Sequence, residues 1–251
     1  MEQGAVALDV AGLSKSFGAL AVTQDVSLRV AEGAALGIIG PNGAGKTTLF
    51  NLICGTIRPD AGRITALGVD ISAMDARRRC HLGLARTFQV PQPFAGLTAY
   101  ENVLIAAAYG RGLSEHSARP FAGEALDVTG LGTKANRLAG SLTLLDRKRL
   151  ELARALATGP RLLLLDEIAG GLTEVECHAL VALIKELRAT GTTIVWIEHV
   201  LHALLAVVDE VLVLDFGKVI ATGSPDGIMS DPQVAAVYLG PDADELEAQH
   251  G

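Results

Sequence analysis

The spacing of apolar and polar positions changes character several times along the chain. From residue 5 to 39, short Val/Leu/Ile runs alternate with polar residues and are punctuated by Gly and Ser ("AVALDVAGL", "VSLRVAEG", "AALGIIG"), as strands are. Residues 45–55 switch to a helical spacing carried by Leu49, Phe50, Leu52 and Ile53, and "GRITALGVDI" returns to strands. From Tyr100 to about Leu156 the spacing is helical again, broken by Gly, Ser and Pro near 110–120. "RLLLLDE" is a short continuous apolar run, the mark of a strand covered on both faces of a parallel sheet. "ECHALVALIKELRATG" predicts a helix ending at Gly191, and "TTIVWIEH" and "EVLVLDFGKVIATG" predict further strands. Strands and helices alternating about one apolar sheet make an α/β fold. No repeat, low-complexity tract or long linker divides the chain, so one domain over residues 1–251 is expected.

Composition narrows the function. Lys and Arg total 21 against 28 Asp and Glu, a net charge of −7, which argues against nonspecific binding to nucleic acid. Aromatic residues make up 4% of the chain, so the core is expected to be Leu, Val, Ile and Ala. Cys54, Cys80 and Cys177 are far apart and form no C-x-x-C, so they read as buried or inert thiols of a reducing compartment. The start, "MEQGAVALDV", is acidic and has no basic-then-apolar signal pattern. "VLHALLAVVDEVLVLDF" is broken by His202, Asp209, Glu210 and Asp215, short of the roughly 18–20 apolar residues a bilayer span requires. "ARRRC" gives Arg77–Arg79 as a small basic run on a solvated helix face.

The strongest chemical signal is "GIIGPNGAGKTTLF". It fits G-x-x-x-x-G-K-[ST] from Gly40 to Thr47, between an apolar strand (Leu36 to Ile39) and a helix. In that setting the loop of Gly40, Pro41, Asn42, Gly43, Ala44 and Gly45 wraps the phosphates, and all but Pro41 can offer backbone N–H groups to phosphate oxygens at the positive end of the helix. Lys46 would bridge the β- and γ-phosphates, the Thr47 hydroxyl would coordinate Mg²⁺, and Thr48 follows in the first turn. A phosphate loop alone does not choose among GTPases, kinases and ATPases. "DVTG" at 127–130 fits the D-x-x-G of a GTPase, but "TKAN" lacks the aspartate that reads guanine. "LLLLDE" is the stronger partner. Asp166 ends a buried strand, where a carboxylate can hold Mg²⁺, and Glu167 is placed to act as general base on a water, worth about 10²–10⁴ in rate. His199 and His202 share an H-x-x-H spacing without a third zinc ligand.

Taken in order, these motifs resemble the ATP-binding subunits of ABC transporters over nearly the whole chain. The resemblance implies a P-loop NTPase core with an antiparallel β subdomain (1–88 and 157–251) and a helical subdomain with the Q-loop and signature helix (89–156). Gln89, in "RTFQ", takes the position of the Q-loop glutamine, which contacts Mg²⁺ and the attacking water. His199, in "IEHV", takes that of the switch histidine at the γ-phosphate. Phe17, in "SKSFGAL", takes that of the aromatic stacked on adenine. "GGLTEVE" matches the D-loop region, with Thr173 where Asp or Asn is usual and Ile168 in place of proline. "ARTFQ", "RLELARALAT", "IEH" and "DPQVAAVYLG" resemble the branched-chain amino-acid and amide importers, the last recurring in lipopolysaccharide exporters. The implied partners are ATP with Mg²⁺ and a membrane permease, at the cytoplasmic face of the membrane. Phe94, Leu97 and Tyr100, in "PQPFAGLTAYENV", are candidates to receive the permease. A soluble ATP-gated regulatory protein is the alternative of another class, although such proteins usually carry two cassettes in one chain.

One helix start departs from the family. Where the signature reads L-S-G-G-Q, this chain has Leu142, Thr143, Leu144, Leu145 and Asp146. The glycines normally let backbone N–H groups approach the γ-phosphate held by the opposite subunit. Thr143 and Asp146 instead have the spacing of a capping box, in which the carboxylate would satisfy the helix's own N–H groups. One reading is a helix that still reaches the nucleotide; the other is a degenerate half-site, paired with a second, non-identical ATPase subunit.

Overall fold

The computed structural model describes residues 5–234, so residues 235–240 of "DPQVAAVYLG" lie outside the described residues. The early strand pattern forms an antiparallel hairpin of β1 (Val6–Phe17) and β2 (Leu20–Ala31). With β4 (Ala61–Ala66) and β5 (Val69–Asp70) it makes a four-stranded sheet in the order β2-β1-β4-β5. The second sheet combines β3 (Ala35–Ile39), β6 (Leu84–Arg86), β7 (Leu162–Asp166), β8 (Thr193–Ile197), β9 (Glu210–Asp215) and β10 (Lys218–Gly223) in the order β10-β9-β3-β8-β7-β6. All its neighbours are parallel except the β9–β10 hairpin.

Every residue of β3, β7 and β8 is buried, which is why their sequences are continuous apolar runs. Successive side chains of these strands still alternate between two cores. Leu36, Ile38, Leu162, Leu164, Val195 and Ile197 meet Leu49, Phe50, Leu52 and Ile53 of α1 (Lys46–Cys54), together with Leu8 and Val10 of the other sheet. Ile39, Leu163, Leu165, Ile194 and Trp196 meet Leu180, Leu183, Ile184 and Leu187 of α6 (Glu174–Ala189). Helix α1 therefore fills the space between the sheets, fixed by the loop that precedes it.

The central helical stretch is α3 (Ala99–Arg111), α4 (Glu115–Val128) and α5 (Leu144–Ala157), with a core of their own built largely from alanines. The expected break near 110–120 is confined to residues 112–114, and Pro120 lies inside α4. The carbonyl a proline leaves unpaired there belongs to His116, which is exposed and can turn to water. Among the shorter helices, α7 (Leu201–Leu205) follows β8 and α8 (Pro225–Met229) follows β10.

The basic run at 77–79 is corrected by α2 (Ala76–Leu82). Arg77 and Arg78 are exposed, but Arg79 is fully buried. Its guanidinium donates to the carbonyls of Leu52 (2.6 Å), Ile53 (2.7 Å) and Met74 (3.0 Å), satisfying the end of α1 that lacks intrahelical partners. Gly55, at φ 78°, closes α1, and a Cβ there would sit 2.6 Å from Arg79 Nε. Cys54 and Cys177 are buried and Cys80 is half-buried, all as free thiols. Burial pushes the Cys54 thiol up to about 11, well out of the nucleophilic range. Among the described residues no helix is long and apolar enough to cross a membrane.

Candidate functional site

Strands β3, β6, β7 and β8 all end at one edge of the parallel sheet, so the loops leaving them converge there, as open α/β sheets arrange their ligand sites. The loop from Gly40 to Gly45 joins β3 to α1. Two of its glycines are sterically required. A Cβ on Gly40 would lie 2.1 Å from the Leu214 carbonyl oxygen, and one on Gly45 2.5 Å from that of Val22, with φ of 151° and 99°. Lys46 is buried, and its Nζ donates back across the loop to the carbonyls of Gly40 (2.6 Å) and Pro41 (3.0 Å). Burial lowers the Lys46 pKa, opposed by the nearby charges of Glu167 and then Asp166.

The loop opens onto a polar cavity of about 510 Å³ lined by Val22, Asn42, Gly43, Ala44, Gly45, Lys46, Thr47, Thr48, Gln89, Glu167 and His199. The structure thus gathers three residues that are far apart in the chain. Gln89 donates its Nε2 to Glu167 Oε2, and His199 Nε2 lies 2.9 Å from Glu167 Oε1. Glu167 leaves β7 at φ 46°, a left-handed conformation that costs a non-glycine residue on the order of 1–3 kcal/mol. It is held there because its N–H donates to the Ile197 carbonyl (2.8 Å) and its own carbonyl accepts from Lys148 Nζ (3.2 Å).

Asp166 is deeply buried at the end of β7. Its N–H donates to Thr87 Oγ1 (3.1 Å), and its Oδ2 pairs with Arg86 Nη2 at 2.6 Å. Arg86 also reaches Asn51 Oδ1 (2.6 Å) and lies over the rings of Phe50 and Phe88. The other carboxylate oxygen, Oδ1, is buried without a partner. The orphaned Asp166 oxygen and the Thr47 hydroxyl are hard oxygen donors, of the kind that suits Mg²⁺.

Several expected contributors do not line this cavity: Gly40, Pro41 and Asp166 lie behind it, and Phe17 and the Thr143–Asp146 segment lie away from it. Phe17 ends β1 at the turn into β2, half-exposed, with Lys15 over its ring at 5.7 Å, and the hairpin contributes Val22 instead. The Thr143–Asp146 segment lies at the start of α5. There the capping box is only half made. Thr143 Oγ1 accepts the Asp146 N–H (3.3 Å), but the Asp146 carboxylate turns to Lys134 Nζ at 2.7 and 2.8 Å. The two boxes closed by glutamate, Thr98–Glu101 and Thr173–Glu176, make both halves. Aspartate is one methylene shorter, and here a lysine competes for it. Leu145 is half-buried, while Leu144 is exposed and leans on Gly171, where a Cβ would lie 3.3 Å from its Cδ2.

Pattern reading missed the charged groups buried behind the site: Arg86, Lys148, Glu151 and Glu198. Glu151 accepts the Gln92 N–H (3.1 Å) and pairs with Arg154 (2.6 Å), which donates to the Gln92 carbonyl (3.2 Å), so α5 grips the segment after Gln89. The one available signal was position. Glu198 follows five buried residues of β8, where another apolar residue would continue the strand.

The phosphate loop after β3 thus meets Glu167 from the end of β7, Gln89 from the loop after β6 and His199 from the loop after β8. Residues 23–170 match the family described as ABC transporter, and residues 218–243 match the family described as branched-chain amino acid ATP-binding cassette transporter. The high-affinity branched-chain amino acid transport ATP-binding protein BraF of Pseudomonas aeruginosa is 38% identical, covering 93% of this chain and 97% of that protein. The lipopolysaccharide export system ATP-binding protein LptB of Haemophilus influenzae is 35% identical with the same coverages. A solved nucleotide-free ATP-binding cassette from an ABC transporter superposes with a TM-score of 0.87 at 32% identity, covering 94% of this chain and 99% of that one. The ADP conformation of the cassette MJ1267 gives 0.86 at 32% identity, with the same coverages. The chain therefore belongs to the ABC transporter family and is one of its ATP-hydrolysing, ATP-binding subunits.

Proposed function

We propose that this chain powers an importer of branched-chain amino acids or related small amides, bound to permease subunits at the cytoplasmic face of the membrane. The observation that carries this reading is the match of residues 218–243 to the branched-chain family, outside the segment matched by the general ABC model. In this reading the Gly40–Gly45 amides and Lys46 hold the ATP phosphates, with Phe17 near the adenine. Thr47, Asp166 and Gln89 would hold Mg²⁺, which would supply positive charge to offset that of the ATP phosphates. Glu167 takes the proton of the attacking water, oriented between Gln89 and His199. Lys46→Ala should abolish Mg²⁺-ATP binding, whereas Glu167→Gln should bind ATP and hydrolyse it about 10²-fold or more slowly.

A groove of about 660 Å³, more apolar than the phosphate cavity, runs between α2 and α3 and is lined by Leu97, Leu104, Ile105 and Tyr109 among others. It contains none of the phosphate-site residues, and we assign it to the permease. Exposed Phe94 stands in the same segment as Leu97, its backbone held by buried Asn102 (N–H to Oδ1, 2.8 Å). Tyr100 packs against the helical core. We further propose that the substituted signature, Thr143 to Asp146, faces the nucleotide of a second, non-identical ATPase subunit.

Lipopolysaccharide export is a second reading, favoured by the 35% identity to LptB. Uptake of labelled leucine by vesicles containing this chain and its co-purified permeases separates the two. Uptake that requires ATP and is lost in Glu167→Gln supports import, and co-purification with lipid-export permeases alone would refute it.

A further inference from the structure

Glu198 is 1% exposed and sits one residue before His199, on the loop leaving β8. Its carboxylate accepts three backbone N–H groups from two loops. Oε2 takes that of Ala169 (2.9 Å), while Oε1 takes those of His199 (3.0 Å) and Val200 (3.4 Å). Ala169 is two residues beyond Glu167, so one carboxylate spans the backbone behind both members of the Glu167–His199 contact. Buried Lys148 of α5 provides the facing positive charge, and its Nζ donates to the Glu167 carbonyl. Burial raises the Glu198 pKa, and these three N–H groups and Lys148 oppose the rise. An apolar residue would continue β8 without the cost of burying a charge. The carboxylate is thus an unfavourable choice for the core and a fitting one for the loops, because two oxygens can hold amides on both sides at once.

We propose that Glu198 is a positioning residue that clasps the loop carrying Glu167 to the loop carrying His199, fixing the distance between carboxylate and imidazole. Glu198 is buried and does not line the phosphate cavity, so it acts through the two residues it aligns. The inference rests on the assignment of Glu167 and His199 to hydrolysis made above.

Glu198→Gln tests it, because glutamine keeps the shape but presents an amide nitrogen to one of the two loops. In the full-length chain, kcat should fall by about 10–100-fold, the penalty of misplacing a reacting group, while the affinity for a fluorescent ATP analogue with Mg²⁺ stays at the wild-type value. Glu198→Asp, which retains both oxygens, should recover part of the rate. In a Glu167→Gln background, Glu198→Gln should cost little more, since the clasp acts through Glu167. Wild-type kcat in a folded Glu198→Gln protein, a loss appearing in affinity and not in kcat, or full additivity with Glu167→Gln would each overturn the proposal. Amide exchange in the unaltered chain gives a reading that needs no variant to fold. The Ala169, His199 and Val200 amides should exchange far more slowly than those of exposed loops, and rapid exchange at all three would refute the clasp. Should Glu167→Gln itself hydrolyse ATP normally, the general-base assignment fails while slow exchange at these amides still stands.

Discussion

Replacing Arg86 with leucine would leave the Asp166 carboxylate buried without its hydrogen-bonded counter-ion, with only the Lys46 charge beyond ion-pair distance to offset it. The pair is nearly dry, with side-chain exposures of 7% and 4%, and its oxygen and nitrogen are 2.6 Å apart. Removing one partner of such a pair costs about 3–5 kcal/mol, because the remaining charge keeps its desolvation penalty and loses its counter-ion. Loss of the Asn51 hydrogen bond and of the contacts over Phe50 and Phe88 acts in the same direction. An unfolding entropy of roughly 2.1 cal/mol/K per residue gives about 0.5 kcal/mol/K for this chain, so the midpoint should drop by about 6–10 °C. Scanning calorimetry without nucleotide measures this directly. Adding Asp166→Asn to Arg86→Leu removes the stranded charge, so the double variant should melt above the single one. A drop under about 2 °C, or a double variant less stable than Arg86→Leu, would mean that Asp166 is solvated and that the pair does not hold β6 to β7.

Three further outcomes are expected. Phe94→Ala should fold normally but weaken permease binding and transport-coupled ATPase, and wild-type levels of both in a co-purification and transport assay would exclude Phe94 from docking. In the proposed half-site, Asp146 is paired with Lys134, so exposed Leu144 is the side chain expected to obstruct the facing nucleotide. Leu144→Gly should therefore enhance ATP-dependent dimerisation of the Glu167→Gln chain in analytical ultracentrifugation, at a helix cost of about 1 kcal/mol, and no gain would exclude the obstruction. Glu101 and Glu176 are held below the ordinary carboxylate value of 4.5 by the N–H and hydroxyl of Thr98 and Thr173. Their folded pKa values are lowered, so the support they give α3 and α6 is present above 4.5 and is lost as pH falls through those lowered values. Helicity followed by circular dichroism should show that loss, and Thr98→Ala with Thr173→Ala should diminish it.

What could be read in the sequence depended on whether a role belongs to the backbone pattern or to a side chain's partner. The phosphate loop was legible because its glycines are dictated by close approaches to Leu214 and Val22, and spacing alone records such needs. The strand ends carrying Asp166 and His199 were legible because continuous apolar runs announce buried strands. The destination of a buried charge is not written locally. Arg79 looked like its exposed neighbours, although it caps a helix that starts 33 residues earlier in the sequence. Asp146 has the spacing of a capping residue, but Lys134, outside that pattern, decides where its carboxylate goes. Glu198 stands next to His199, and nothing in its spacing says that it reaches back to Ala169.

The alanine-built helical core has a thermodynamic consequence. Eight of the thirteen buried residues at the centre of α3, α4 and α5 are alanines, whereas the cores on either face of the parallel sheet are filled by Leu, Ile, Val, Phe and Trp. Each methylene that an alanine lacks forgoes about 0.8 kcal/mol of burial, so cohesion is distributed unequally between sheet and helices. The sheet edge that holds the phosphates belongs to the stiffer part. The helices that carry the proposed permease groove and the substituted signature segment should open at lower free energy. In the proposed function, motion between a docked permease and the nucleotide falls to the helices, while Glu167 and His199 stand on the more cohesive side.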